Sequence, residues 1–402
     1  MRSLFLVFMM LSSVCLGQNN IPEQNNSGSK NSVSPGAAEE MFDTLVPEMR
    51  MQEVQEAVPS SKRSKNVSRS ESPVLQDKFE SNSAISVNSA AQSFSVVRTS
   101  AAQNRIQRSP SPEYQRQMDQ AVNQLEQMAP ESFEYHFFSY QAGNYNIDLI
   151  DHLNKAELLK PGNSDVQIQK AAYHFIQGEQ LKALNYLDKL VASKRIGQDV
   201  LDYGKDLLLS TAENGVLITH GMDDTFGALY HQLKNGVRND ATVLSLDLMQ
   251  SDQYRDRLKN KGYRLPEREV IDVTYLSLFC QLNASKDLSI SLTFPKEYLV
   301  TMSEKLFVTG LVFLYSSDPN HNNFDRNDRL WNDILEKKAA GDVYTDKGRQ
   351  LSSNYLPMLL LLSEVYGELN ESTKKKDIDK EIDRISVQCN KYEQVRQIKS
   401  AY

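Results

Sequence analysis

The chain has 402 residues, 40% of them apolar and 24% charged, with a formal net charge of −7 at pH 7. That length suits two or three domains, and the apolar share is ordinary for a protein with a packed core. The acidic balance argues against a general nucleic-acid binder, and no internal apolar run approaches the roughly 18 residues that cross a bilayer.

The first residues, MRSLFLVFMMLSSVCLGQNN, set a basic Arg2 before an apolar stretch from Leu4 to Leu11, then small residues. This is the layout of a secretory signal peptide. Cleavage is expected before Gln18, with Cys15 and Gly17 at the small-residue positions. Lipidation at Cys15 is the alternative, disfavoured by Ser12 and Val14. Residues 1–17 are therefore expected to be a leader, and the mature protein to reside in the periplasm or cell envelope. Two cysteines remain, Cys280 and Cys389, and their spacing fits no CxxC motif. An oxidising compartment permits a disulfide between them. The preferred reading is two separate cysteines used as small apolar residues.

Residues 18–112 are rich in Ser, Asn and Gln, lack Trp and Tyr, and contain SKRSKNVSRSESP and RSPSPE. Such a composition buries too little apolar surface to offset the entropy of ordering, so a disordered tail is expected. One island, residues 37–58, places Met41, Phe42, Leu45, Val46, Met49 and Val54 at roughly helical spacing around Pro47. It is a chance cluster, a helix that packs on its own protein, or a segment for docking into a partner's groove.

Helical hairpins are expected over 113–207. Met118, Ala121, Val122, Leu125 and Met128 form the apolar stripe of a first helix. Two helical pairs follow with a period of about 34 residues, and they resemble tetratricopeptide repeats. Tyr140, Gly143, Tyr145, Ala156 and Pro161 carry the likeness in the first, and Ala171, Gly178, Ala183 and Tyr186 in the second. Lys170 stands at an apolar position of the pattern. Stacked hairpins usually present a binding surface to other proteins.

An α/β domain is expected over 208–320. GVLIT reads as a strand, TFGALYHQLKNG as a helix and ATVLSLDLM as a second strand, which makes a parallel βαβ unit. REVIDVTYLSLFCQL reads as a helix, and LSISLTF and LFVTGLVFLYSS as one strand each, giving three or four strands. The region 321–402 returns to helices, in DRLWNDILEKKA, RQLSSNYLPMLLLLSEVYGEL and KKKDIDKEIDRISVQCNKYEQVRQIKS. The fold class is thus mixed α and α/β.

Residues from about 210 to 390 resemble the soluble C-terminal region of bacterial protein-mannosyltransferase-like membrane glycosyltransferases, a region that carries a domain-of-unknown-function label. NGVLITHGMDDTFGALYHQLKNGVRNDATVLSLDLM is the leading phrase. Thr219, Gly221, Asp224, Thr225, Phe226, Val237, Arg238 and Asp240 fit the family pattern, while His220, Met222 and Asp223 depart from it. The membrane spans of those enzymes are absent from the sequence, so the resemblance implies fold and envelope context but not glycosyl transfer.

The candidate site is the polar knot after the first strand. Ligands of open α/β sheets bind beyond the carboxyl ends of parallel strands. His220, Asp223, Asp224 and Thr225 are expected there, joined by Asp247 late in the second strand. Such a set could hold a ligand, bind a metal or serve acid–base chemistry. The simpler reading is a strand-to-helix joint, with Asp224 or Thr225 capping the helix and Gly221 supplying an unusual backbone angle. No phosphate loop, dinucleotide fingerprint, Gly-x-Ser-x-Gly elbow or HExxH helix occurs, so no cofactor, metal or catalytic residue is assigned. A second cluster, Asp318, His321, Asp325 and Asp328, is expected to be a solvated loop. The sequence-level expectation is an exported, non-catalytic envelope protein that binds other proteins. The alternative is a partner of a membrane glycosyltransferase, or a binder of carbohydrate or lipid carrier.

Overall fold

The computed structural model describes residues 73–400 except 319, 320 and 344, with side chains from residue 86 onward. The expected leader, the island 37–58 and the rest of the tail up to residue 72 lie outside the described residues. The compact unit that holds the sheet begins at Glu80.

Order begins earlier than composition suggests. Helix α1 (Pro73–Ala102) covers part of the segment expected to be disordered up to residue 112. Ala90, Phe94 and Ala101 are buried, and Val97 packs against the cluster that holds Phe94. Those positions lie at i, i+4, i+7 and i+11, a narrow apolar stripe diluted by Ser and Asn. Phe94 stacks on Phe138 at 4.4 Å between centroids. A few well-placed residues ordered the segment where the average over ninety residues predicted none.

Helix α2 (Pro112–Met128) buries Met118, Ala121 and Leu125 as their spacing predicts, and Ser111 caps it by accepting from the Tyr114 amide. The expected hairpins are present: α3 (Phe133–Ala142) with α4 (Ile150–Leu159), and α5 (Ser164–Gln177) with α6 (Gln180–Ala192). Lys170 is 5% exposed. Its ammonium meets Glu157 at 3.1 Å and also bonds Asn154, and the Tyr186 hydroxyl donates to the same Glu157. A buried charge is tolerated where it is paired in this way.

Helix α7 (Gln198–Ser210) leads to β1 (Val216–Thr219), α8 (Met222–Asn235) and β2 (Thr242–Ser245). After β2 come α9 (Asp252–Asn260), α10 (Val273–Leu282) and β3 (Leu288–Ser291). The sheet has five strands in the order β2-β1-β3-β5-β4. β1 runs parallel to both β2 and β3, in the expected βαβ arrangement. The stretch expected to be one last strand is a hairpin of β4 (Leu306–Thr309) and β5 (Val312–Tyr315). Gly310, at φ +59°, folds the chain back between them, in a conformation other residues rarely adopt.

The C-terminal helices are more broken than their periodicity predicts. DRLWNDILEKKA holds the end of α12 (Phe324–Arg329), a π-turn and the start of a 3-10 turn at Lys338–Ala340. Pro357 has no amide hydrogen to donate, and it opens α14 (Leu356–Glu368) after the short α13 (Asp346–Ser352). Asn390, at φ +57°, separates α15 (Ser372–Gln388) from α16 (Tyr392–Ser400). One hydrophobic cluster nevertheless runs from Ile168 in α5, through β1 and β3, to Ile398 in α16. The second hairpin, the sheet and the C-terminal helices therefore share a core.

Candidate functional site

The knot after β1 divides in two. Thr225 is 1% exposed and turns into the protein. Its hydroxyl lies 2.7 Å from Thr219 Oγ1 and donates to the Gly221 carbonyl at 2.5 Å. That ties the first turn of α8 to the end of β1. Asp223 points elsewhere, to Lys347 at 2.7 Å. Neither joins the expected ligand set, because successive residues of a helical turn project about 100° apart. Gly221 stands at φ +86° as expected, and its side-chain-free position is the helix cap.

His220, Asp224 and Asp247 do come together, around a group the sequence reading did not include. Arg108 enters from a strap that joins α1 to α2. Its Nε donates to Asp247 Oδ1 at 2.6 Å, and its Nη1 donates to His220 Nε2 at 2.8 Å. Asp247 is not within β2 but opens a 3-10 turn just after it. Backbone bonds seat the strap: the Arg108 amide donates to Ile271 O at 2.7 Å, and the Val273 amide to Ile106 O at 3.0 Å. Burial opposes the Arg108 charge, but Asp247 and Tyr298 outweigh it and hold the guanidinium above its ordinary value.

A guanidinium has no acceptor, so His220 Nε2 must accept, which puts the ring proton on Nδ1. Burial first, and then the Arg108 charge, pull the imidazole down to about 4; Asp247 opposes them. His220 is thus neutral at physiological pH. Asp224, 1% exposed, caps in an unexpected direction. From the third position of α8 its Oδ2 accepts from the His220 amide at 2.8 Å and from Thr293 Oγ1 at 2.6 Å. Burial pushes its carboxyl up to about 7, aided by Asp223 and Asp247 and opposed by the His220 amide and Thr293. Its Oδ1 is buried without a hydrogen-bond partner, as is the hydroxyl of fully buried Tyr298.

Residues just past β3 complete the crevice. Thr293 binds Asp224, the Phe294 ring lies 5.0 Å from His220, and Tyr298 on the short α11 (Lys296–Leu299) lies 5.9 Å from it. The rule that ligands gather beyond parallel strands pointed here, once β3 was known to lie beside β1. Arg108 gave no comparable signal, being set among Ser and Pro in the tail.

The acceptor nitrogen of His220 is taken by a cation and cannot receive a proton from a nucleophile. Among the described residues no group of three or more His, Cys, Asp or Glu is placed to hold a metal ion. The second cluster does not converge: His321 lies against the Phe307 ring, while Asp328 accepts from Tyr366 and Asn332. Cys280 and Cys389 form no disulfide, and burial pushes the Cys280 thiol well up.

The phrase Val237-Arg238-Asn239-Asp240 is structural. Arg238 donates to the Thr211 and Ala212 carbonyls at 2.7 Å each, closing the end of α7, and its fork is held by Asp240 at 2.7 Å. Arg238 holds the Asp240 carboxyl well below its ordinary value.

Residues 200–397 match the family model described as TMEM260-associated domain 2. The match runs from α7 into α16, so it holds all five strands, His220, Asp224, Asp247, Thr293 and Tyr298, but not Arg108. No curated protein and no solved structure matches the chain.

Proposed function

We propose that this is an exported, non-catalytic subunit of the cell envelope that binds other proteins and serves a larger assembly. The observation that carries this reading is the seating of Arg108. The crevice where a substrate of an α/β domain would react is filled by the chain's own guanidinium. The helical hairpins ahead of the sheet supply a surface of the kind used for protein recognition.

A second reading is favoured by the family match, whose description makes the domain one associated with TMEM260. With the resemblance to membrane glycosyltransferases, it supports a soluble partner of such an enzyme, or a carbohydrate or lipid-carrier binder. Its working surface would be the crevice beyond β1.

The test is recovery of the tagged protein from crosslinked envelopes. A stoichiometric protein partner is expected, and its absence would count against the subunit reading. Recovery of a membrane glycosyltransferase as that partner would select the second. Deleting residues 37–58 should weaken the complex, and unchanged recovery would remove the docking role of that island.

A further inference from the structure

We propose that the crevice beyond β1, β2 and β3 is a receptor for an extended peptide segment carrying an arginine, and that Arg108 is its built-in occupant, displaced when a partner protein supplies that segment. This rests on the reading of the protein as a binding subunit and names one of its binding sites.

The lining is made for a donor. Asp247 Oδ1 and the neutral His220 Nε2 both accept from Arg108. Two further polar atoms in the same charged surroundings, Asp224 Oδ1 and the Tyr298 hydroxyl, are buried and unpaired. Their residues are 1% and 0% exposed. Arg108 reaches Asp247 through Nε and one carboxylate oxygen, not through the two parallel bonds that a guanidinium and a carboxylate can form. The present occupant therefore leaves binding capacity unused.

The site takes backbone as well as a side chain. Gln107 bridges Asp272 in antiparallel fashion, flanked by the Arg108–Ile271 and Val273–Ile106 bonds. The Ile271 amide also donates to Ser109 Oγ at 3.1 Å, and Arg105 meets Glu297 at 3.3 Å. A short strap held by so few bonds resembles a peptide added to a sheet edge. Its flanks are anchored independently, by Phe94 on Phe138 and by buried Met118. The strap can lift without unfolding either helix. The family match includes every lining residue and excludes the occupant. Receptor and plug are thus separate pieces of sequence.

The test uses the full chain and a labelled peptide of residues 101–112, AAQNRIQRSPSP, beside the same peptide with alanine at the Arg108 position. R108A should bind the native peptide, and the alanine peptide about tenfold or more weakly, one such factor being the worth of a single good polar contact. R108A/D247N should lose the difference. Wild type should bind the native peptide more weakly than R108A, because its site is filled. Equal binding of both peptides by R108A, or binding of neither, overturns the proposal. Hydrogen exchange on wild type needs no variant: the Arg108 and Val273 amides should exchange faster than those of β1, and equally slow exchange overturns displacement. A dimer that the peptide dissolves would make the occupant a second copy of this chain and overturn the partner assignment. Because these measurements need no envelope partner, a failed pull-down and a failed receptor are distinguishable.

Discussion

His220 and Asp224 are adjacent in the crevice, yet their titrations pull stability in opposite directions. His220 falls from 6.5 to about 4 on folding, so its contribution is present above 6.5 and is lost as pH falls toward 4. Asp224 rises from 3.8 to about 7, so its contribution is present below 3.8 and is lost as pH rises through 7. The Asp224 shift corresponds to at most about 4 kcal/mol, at roughly 1.4 kcal/mol per unit. Asp224→Asn should therefore raise Tm relative to wild type at pH 8 and match it near pH 4. Wild-type and variant curves that stay parallel from pH 4 to 8 would contradict the assignment. His220→Gln should lose less stability than wild type between pH 6.5 and 4, measured by the same melts. At this scale the sequence showed which polar residues stand after β1. It did not show which way each points, because one helical turn sends Asp223 to Lys347 and Asp224 inward.

Helices α7 and α8 cross where Gly204 meets Gly227. A methyl on Gly204 would lie 2.7 Å from the Ala228 amide nitrogen and 2.8 Å from Gly227 Cα, both backbone atoms that cannot swing aside. Gly204→Ala should cost about 1–3 kcal/mol through overpacking. A denaturation midpoint equal to wild type would show that the helices separate freely. Arg238 closes α7 with a planar fork that lysine lacks. Arg238→Lys should cost about 1–3 kcal/mol, the worth of charged hydrogen bonds left unmade, and should leave peptide binding at the crevice intact. Binding that falls together with stability would give Arg238 a role in the site. The elements themselves were largely readable, since β1, α8, β2 and the hairpins follow their periodicities. The breaks were less so. Gly310 stood in plain sight, but the apolar run on both sides masked the turn it makes.

Across the whole molecule, Asp206 joins distant parts of the chain. It is fully buried on α7, accepting from the Glu336 and Lys337 amides at 2.8 Å and from the Tyr355 hydroxyl at 2.6 Å. Burial raises its carboxyl, and these three donors oppose the rise. Asp206→Ala would strand the buried Tyr355 hydroxyl and the two half-buried amides, an unmade buried hydrogen bond costing about 1–3 kcal/mol, so a loss of about 3 kcal/mol is expected in chemical denaturation. The shared core from Ile168 to Ile398 predicts a single calorimetric transition for residues 168–398. Two resolved transitions would divide the hairpins from the sheet.

The sequence by itself determined the local periods. It set the hairpins, the βαβ unit, the polar joint at residues 219–225 and the unusual backbone angle at Gly221, because spacing and backbone freedom are properties of neighbours along the chain. Only the tertiary structure decided that Phe94 orders part of the tail, that β5 lies beside β3, and that Arg108 fills the crevice. Arg108 meets His220 across 112 residues and Asp247 across 139. Contacts that distant are fixed by how the helices and the sheet pack, which no local pattern records.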